Sequence, residues 1–142
     1  MLSFSKIASS SHDVIFKCAE IPDIKFECHP DEISQVLINL INNAHDAVIT
    51  QEEKWIELSI KLDTHLDSLI FKITDSGLGI AEDISEKMFS PFYTTKAVGE
   101  GTGLGLSIAK KIIDAHNGEL YLDQKSKHTC FIVRIPISIF SQ

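Results

Sequence analysis

Six of the seven glycines in this sequence lie between residues 75 and 106, in two clusters that flank a segment containing phenylalanine, proline and threonine. Glycine weakens the interior of helices and strands, so ordinary globular sequences spread it thinly. This clustering of glycine therefore predicts a backbone that approaches a ligand closely, although two tight surface turns would also explain the clustering. The second cluster reads GEGTGLGL and opens a predicted helix, whose free N–H groups and dipole suit an anion such as a triphosphate.

Asparagine side chains are the second candidate for chemistry. Asn39, Asn43 and Asp46 are spaced as i, i+4 and i+7, so they form a polar stripe beside the apolar face of a predicted helix. Asparagine is a mediocre helix former, and a merely solvated face has little need of it. The stripe predicts side-chain oxygens that are presented to a metal–phosphate group, with a few exposed amides as the alternative.

Composition and motifs argue against several classes of function. The net charge of -7 argues against a surface that binds nucleic acid. No apolar run approaches the roughly twenty residues that are needed to span a bilayer. Cys18, Cys28 and Cys130 form no CxxC pair, and we interpret them as reduced core thiols of a cytosolic domain. The sequence has no P-loop, no GxGxxG fingerprint and no HRD or DFG kinase signature.

Alternating apolar residues predict the strands that position the candidate glycines and asparagines. They are predicted at Val14–Ala19, Ile24–Cys28, Trp55–Leu62, Ser68–Asp75, Glu119–Asp123 and Thr129–Ile137. With three helices, this element order predicts a two-layer α/β (α+β) sandwich. Its mixed, largely antiparallel sheet of about five strands is expected to carry the helices on one face.

Helix-period patterns predict the three helices. The first starts at His29–Glu32 and turns inward Ile33, Val36, Leu37, Leu40, Ile41, Ala44, Ala47 and Val48. A short second helix, capped by Glu82 and Asp83, runs through Met88-Phe89. The third begins near Thr102-Gly103, ends at Asn117-Gly118 and turns inward Leu104, Ile108, Ala109, Ile112 and Ile113.

Four segments carry a family resemblance in the expected order. QVLINLINNAHDAV resembles the N box, DSGLGI the G1 box, MFSPFYTTK the F box and GEGTGLGLSIAKKIIDAHNGEL the G2 box of bacterial sensor histidine kinases, within the wider GHKL (Bergerat-fold) ATPases. The resemblance covers residues 14–137. The family's closing Gly-Thr-x-Phe element appears as His128-Thr129-Cys130-Phe131, with histidine in place of the usual glycine at the edge of the site.

The resemblance implies an ATP-binding catalytic domain with the Bergerat fold and with ATP and Mg²⁺ as cofactors. Asn43 would coordinate Mg²⁺ through its amide oxygen, and Asn39 would approach the phosphates or a bound water. Asp75 would accept a proton of the adenine amino group. Gly77 and Gly79 would let the backbone approach the base and the sugar.

The same boxes imply further site residues. Lys96 would reach the terminal phosphates and would complete the catalytic set begun by the two asparagines. Phe89 and Phe92 would anchor a lid, and we expect residues 93–102 to be mobile without nucleotide and protected by Mg-ATP. Glycines in the second cluster would shape the lid hinge. The remaining implied nucleotide contacts are Asp46, Ile80, Thr94, Thr95, Gly101, Thr102, Gly103, Leu104, Gly105, Leu106 and Thr129.

The implied activity is transfer of the ATP γ-phosphoryl group to a histidine on a separate dimerisation domain, for relay to the receiver domain of a response regulator. Two alternatives stay open. One is an ATP-gated clamp of the same superfamily, although such clamps usually place a glutamate where Asn39 stands. The other is a module that senses nucleotide without turnover. Nucleic acid is not expected as a partner.

Residues 1–13 are expected to be a linker or the end of a missing helical hairpin, followed by one catalytic domain at 14–142. His12 and Asp13 mimic the phosphoacceptor motif, but Lys17 stands where its proline is expected. We therefore expect the acceptor histidine on another part of a longer parent protein. The resemblance implies a homodimeric parent protein whose catalytic domain lies in the cytoplasm. An inner-membrane sensor with this domain in its cytoplasmic portion fits that expectation.

Overall fold

The computed structural model of the chain describes residues 14–18, 30–90 and 105–137. The predicted strand Ile24–Cys28, the expected lid at 93–102 and His12 lie outside these ranges. The residues of the implied site and lid that also lie outside them are Phe92, Thr94, Thr95, Lys96, Gly101, Thr102, Gly103 and Leu104. The predictions for those positions stay predictions.

Five strands and three helices make up the described part of the chain. The strands are β1 (Ile15–Cys18), β2 (Trp55–Asp63), β3 (Ser68–Asp75), β4 (Glu119–Leu122) and β5 (Cys130–Pro136). The helices are α1 (Pro30–Val48), α2 (Glu82–Lys87) and α3 (Gly105–Ala115). These elements match the predicted ones, with differences of one or two residues at the described ends.

The sheet has the strand order β1-β2-β3-β5-β4. β1 runs parallel to β2, and every other neighbouring pair is antiparallel, so the predicted mixed, largely antiparallel sheet is confirmed. Register places Asp75 opposite Ile56, and Thr74 opposite Cys130. The carboxyl end of β3 therefore lies between the starts of β2 and β5, and this is where the first glycine cluster begins.

Two of the helices, α1 and α3, lie side by side on one face of the sheet. α1 packs against β2, β3 and α3, and α3 also packs against β4. The side chains that α1 buries are Ile33, Val36, Leu37, Leu40, Ile41, Ala44 and Val48. They meet Phe71 and Ile73 of β3 in the core. Among the described residues, no helix combines the length and the apolar character needed to cross a membrane.

Four details of the sequence-based prediction are wrong. Ala47 is exposed and Ile108 is 41% exposed, because periodicity assigns a helix face without saying how far the covering elements extend. Cys18 is an exposed thiol on an edge strand, whereas Cys130 is buried as expected. Glu82 and Asp83 do not cap α2, since Ala81 is the N-cap and makes no side-chain cap bond. They lie in the first turn, where the helix dipole favours negative charge.

α3 ends at Ala115 and is followed by a Schellman motif at Asn117 and Gly118, the two residues that were predicted to stop it. The Gly118 N–H donates to the Ile113 carbonyl (2.9 Å), and the Asn117 N–H donates to the Asp114 carbonyl (3.0 Å). Asn117 has the left-handed φ of 60° that this motif needs. Glycine follows for a different reason, because a Cβ at position 118 would lie 2.2 Å from the Arg134 carbonyl oxygen.

Candidate functional site

Asp75 is the last residue of β3 and is almost completely buried, with 1% of its surface exposed. Its Oδ1 accepts a hydrogen bond of 2.7 Å from the Gly77 N–H. Burial raises the pKa of Asp75 from 3.8 to about 6, against the opposing effects of the Gly77 bond and of His128. The carboxyl group is therefore mostly ionised at neutral pH in surroundings that disfavour its charge.

The turn after Asp75 requires glycine at two positions. A Cβ at position 77 would lie 2.7 Å from Asp75 Oδ1 and 3.0 Å from Thr129 Oγ1, so the side chains of these two residues fill the space. Gly79 has a φ of +93°, a conformation that residues with a side chain rarely adopt. Between them, the side chain of Leu78 is 85% exposed.

Segment 128–129, which leads into β5, holds this turn. The Asp75 N–H donates to the Thr129 carbonyl at 2.9 Å, and the Gly79 N–H donates to Thr129 Oγ1 at 3.2 Å. His128 Nδ1 lies 3.0 Å from the Gly77 carbonyl oxygen. Thr129 belongs to the implied nucleotide site, whereas the sequence assigned no such contact to His128.

Ser76 is a further residue that sequence reasoning missed. It is buried, its hydroxyl donates to the Glu53 carbonyl at 2.9 Å, and it accepts a bond of 3.2 Å from the Trp55 N–H. Its own N–H donates to the Trp55 carbonyl at 3.0 Å. Ser76 thus anchors the turn to the start of β2. Its position in the sequence between Asp75 and Gly77 was the signal that could have identified it.

Asn39 connects α1 to the start of α3. Its Nδ2 donates to the Gly105 carbonyl at 3.0 Å, and its Oδ1 accepts a bond of 2.6 Å from Gln35 Nε2. A Cβ at position 105 would lie 4.0 Å from the Asn39 Cβ, which is ordinary contact. The N box and the second glycine cluster are therefore adjacent in space, as the predicted site requires.

Asn43 and Asp46 continue the stripe along α1. Asn43 is half-buried, and its amide makes no hydrogen bond with any residue in the described ranges. Asp46 is exposed, and its Oδ1 lies 3.9 Å from His45 Nδ1. An amide oxygen that is partly shielded and has no partner among the described residues is suited to a hard cation or to an ordered water.

Three apolar residues of the implied site are partly buried at the edge of the core: Ile80, Phe89 and Leu106. The Phe89 ring meets Phe131 edge-on, with 6.3 Å between ring centroids. Phe89 is therefore a packing residue, a role that is compatible with anchoring a lid. A cleft of about 290 Å³ also borders the glycine turn, and it is lined in part by Gly79, Ile80 and Thr129.

The described site residues thus form two groups. Asp75, Gly77, Gly79 and Thr129 make one hydrogen-bonded unit at the end of β3, which contains the two positions of the turn that demand glycine. The second unit is formed by α1 and α3, which meet at the bond from Asn39. Packing of α1 on β3 connects the two units through the core.

Comparison with known proteins gives a match, over residues 28–139, to the model of the histidine kinase-, DNA gyrase B- and HSP90-like ATPases. The sensor histidine kinase ZraS of Salmonella typhi is 37% identical over 114 residues, which are 80% of this chain and 23% of ZraS. Sporulation kinase E of Bacillus subtilis is 34% identical over 119 residues, which are 83% of this chain and 15% of that kinase. The chain therefore spans less than a quarter of the length of these relatives.

Solved structures agree with these matches. The nucleotide-free catalytic domain of histidine kinase ThkA has a TM-score of 0.73 and 35% sequence identity, covering 94% of this chain and 83% of that one. Full-length ShkA in complex with AMPPNP has a TM-score of 0.79, covering 98% of this chain and 28% of that one. At 21% identity, the likeness to ShkA shows the fold alone. The predicted fold class is confirmed.

Proposed function

This chain belongs to the family of histidine kinase-, DNA gyrase B- and HSP90-like ATPases, and we propose that it is the ATP-binding catalytic domain of a sensor histidine kinase. In this role it holds Mg-ATP and donates the γ-phosphoryl group to a histidine on a dimerisation domain. A response regulator then receives the group from that histidine. The relatives named above are kinases several times longer than this chain, which supports such a division of labour.

The observation that carries the proposal is the buried carboxyl group of Asp75 beside a turn that needs glycine at positions 77 and 79. An ionised carboxylate that is buried is costly unless donors surround it. The Gly77 N–H supplies one donor. A ligand that adds a second donor gains more here than it would at the surface. The amino group of adenine is such a donor, whereas guanine carries a carbonyl at the corresponding ring position, so the site favours ATP over GTP.

The stripe on α1 supports a place for the metal and the phosphates. Mg²⁺ prefers oxygen ligands in an octahedral arrangement and keeps several waters, so one protein amide together with phosphate oxygens suffices. Asn43 offers that amide without having to break a bond to another described residue. Within the described ranges, no group of three His, Cys, Asp or Glu residues could hold a metal ion alone. The donor set present therefore fits a metal that arrives with the nucleotide.

Catalysis by this chain would consist of positioning and charge neutralisation. ATP supplies the transferable γ-phosphoryl group, and in-line transfer needs an acceptor nitrogen close to it. Asn39 is an amide and cannot take up a proton as a general base. Hydrolysis by the isolated chain should therefore be slow, and transfer should wait for the acceptor domain.

The test is labelling with γ-labelled ATP, with and without the helical-hairpin fragment of the parent protein. We expect the chain alone to bind Mg-ATP without acquiring acid-labile phosphate, and the hairpin to become labelled when it is added. Asn43→Ala should abolish this labelling. Asn42→Ala is the matched control, because Asn42 is exposed on the same helix and should leave labelling intact.

Three outcomes would contradict the proposal. Robust self-labelling at His12 would place the acceptor within this chain. Fast hydrolysis of ATP with no acceptor present would favour the clamp type of ATPase. Binding of ATP with neither labelling nor hydrolysis would favour the nucleotide-sensing module.

A further inference from the structure

His128 stands where the resemblance implies a glycine, and its ring makes a bond that glycine could not make. Nδ1 lies 3.0 Å from the carbonyl oxygen of Gly77. A carbonyl oxygen only accepts hydrogen bonds, so Nδ1 must carry the proton that is shared. This holds for the neutral ring as well as for the protonated one, and the bond therefore fixes the tautomer of the neutral form.

The ring of His128 is also held from a second side. It meets the Trp55 ring edge-on, with 4.9 Å between the centroids and 80° between the planes. Trp55 is in turn bonded to Ser76 through the N–H and the carbonyl of its backbone. His128 thus lies between the start of β2 and the glycine turn, so its ring has little freedom to leave the Gly77 carbonyl.

The bond of His128 completes a regular pattern. Segment 128–129 bonds to alternate residues of the turn, namely Asp75, Gly77 and Gly79. The bonds to the first and last of these come from Thr129. The bond to the middle residue comes from His128, and the side chain of the neighbouring Leu78 is largely exposed.

We propose that His128 is a positioning residue for nucleotide binding, which orders the turn from Asp75 to Gly79 by holding the Gly77 carbonyl. The inference rests on the proposed function, since it assumes that Asp75 reads the base. The Gly77 carbonyl fixes the plane of the peptide that joins Gly77 to Leu78. Holding it in the empty protein removes conformational freedom that ligand binding would otherwise have to remove.

The affinity test uses calorimetry with ATP on the wild-type chain and on three variants. His128→Ala should weaken ATP binding about tenfold, the loss expected for one well-placed hydrogen bond and the order that it imposes. His128→Asn places an amide N–H near the position of Nδ1, so it should recover affinity to within about threefold of wild type. His65→Ala is the control, because His65 is exposed in the loop between β2 and β3 and should change nothing.

A double-mutant cycle with Asp75→Asn separates positioning from simple stabilisation of the fold. If His128 acts through Asp75, His128→Ala should cost much less affinity in the Asp75→Asn background than in the wild-type one. Hydrogen exchange without nucleotide adds an independent measurement. The amide of Gly79 should exchange faster in His128→Ala, while amides in the middle of β3 keep their protection.

The outcomes are distinct. Wild-type affinity in His128→Ala, or an equal cost of this substitution in both backgrounds, would overturn the positioning role and leave the proposed function standing. Failure of the wild-type chain to bind ATP at all would overturn the proposed function, and the role of His128 would fall with it. Rescue by His128→Asn together with a non-additive cycle is the result that the inference predicts.

Discussion

The base side and the phosphate side of the proposed site are built in different ways. On the base side, four hydrogen bonds join the Asp75–Gly79 turn to itself and to segment 128–129. On the phosphate side, Asn39 makes one bond from α1 to the start of α3, and Asn43 has no partner among the described residues. The sheet therefore preforms the base side, whereas the phosphate side offers ligands that metal and phosphate would engage.

This difference has a thermodynamic consequence. A preformed base site requires little ordering when the nucleotide arrives, but it must keep a costly buried carboxyl group in the empty protein. Among the described residues, Asn39 and Asn43 on the phosphate side carry no such cost, because their amides are neutral and partly exposed. Substitutions on the base side should therefore change both stability and selectivity, and substitutions on the phosphate side should change affinity alone.

Asn43→Ala should have the largest effect. Loss of a metal ligand at the phosphate side should reduce Mg²⁺-dependent affinity for ATP about a hundredfold or more, while the melting temperature of the empty protein stays within about two degrees of wild type. Calorimetry with and without Mg²⁺ measures the first quantity, and thermal unfolding measures the second. Asn42→Ala should match wild type in both, and an equal loss in the two variants would remove the metal role from Asn43.

Asp75→Asn should have the next largest effect, and it should act on selectivity. The new amide can turn a donor toward the adenine amino group, so ATP affinity should fall about thirtyfold while GTP affinity changes little. Comparing the two nucleotides by calorimetry measures this ratio. An unchanged preference for ATP would mean that the carboxyl group does not read the base.

The same carboxyl group should make stability depend on pH. Because the folded pKa of Asp75 is raised from 3.8 to about 6, the folded protein binds this proton more tightly than the unfolded chain does. The stability that the proton contributes is complete below about pH 4 and is lost as the pH rises through about 6. Without nucleotide, Asp75→Asn should therefore melt higher than wild type above about pH 6. If the melting temperatures of the two proteins changed in the same way with pH, the charge on Asp75 would not destabilise the folded protein.

Thr129→Val should have the smallest effect of the series. It keeps the shape of the side chain but removes the oxygen that accepts the Gly79 N–H, so ATP affinity should fall about fivefold. Thr129→Ser retains the hydroxyl and should stay close to wild type in the same calorimetric titration. If valine and serine behaved alike, the hydroxyl bond would not contribute to the base side.

Much of this fold could be predicted because local patterns and global packing agree. The periodicity along α1 identified seven buried side chains, and alternation identified β2 and β3 as a hairpin. The errors at Ala47 and Ile108 lie at the border of a buried helix face, because periodicity gives the direction of that face but not its width. The parallel pairing of β1 with β2 joins segments distant in sequence, and no local pattern specifies such a partner.

The candidate site likewise combines local sequence patterns with contacts between residues that are distant in sequence. Glycine spacing and the asparagine stripe singled out Gly77 and Asn39, and the family resemblance singled out Asp75. The roles of these residues in nucleotide binding stay predictions. The contact of His128 with the Gly77 carbonyl spans 51 positions of sequence, so only the fold brings these two residues together. The expected closing of residues 93–102 over Mg-ATP stays a prediction, which hydrogen exchange with and without the nucleotide would test.

A crystal structure of this chain with Mg²⁺ and a non-hydrolysable ATP analogue tests the central claim most directly. We predict that the adenine amino nitrogen lies about 3 Å from a carboxyl oxygen of Asp75. The metal should lie about 2.1 Å from the amide oxygen of Asn43, between α1 and the start of α3. A nucleotide bound on the open face of the sheet, or a base turned away from Asp75, would contradict the account.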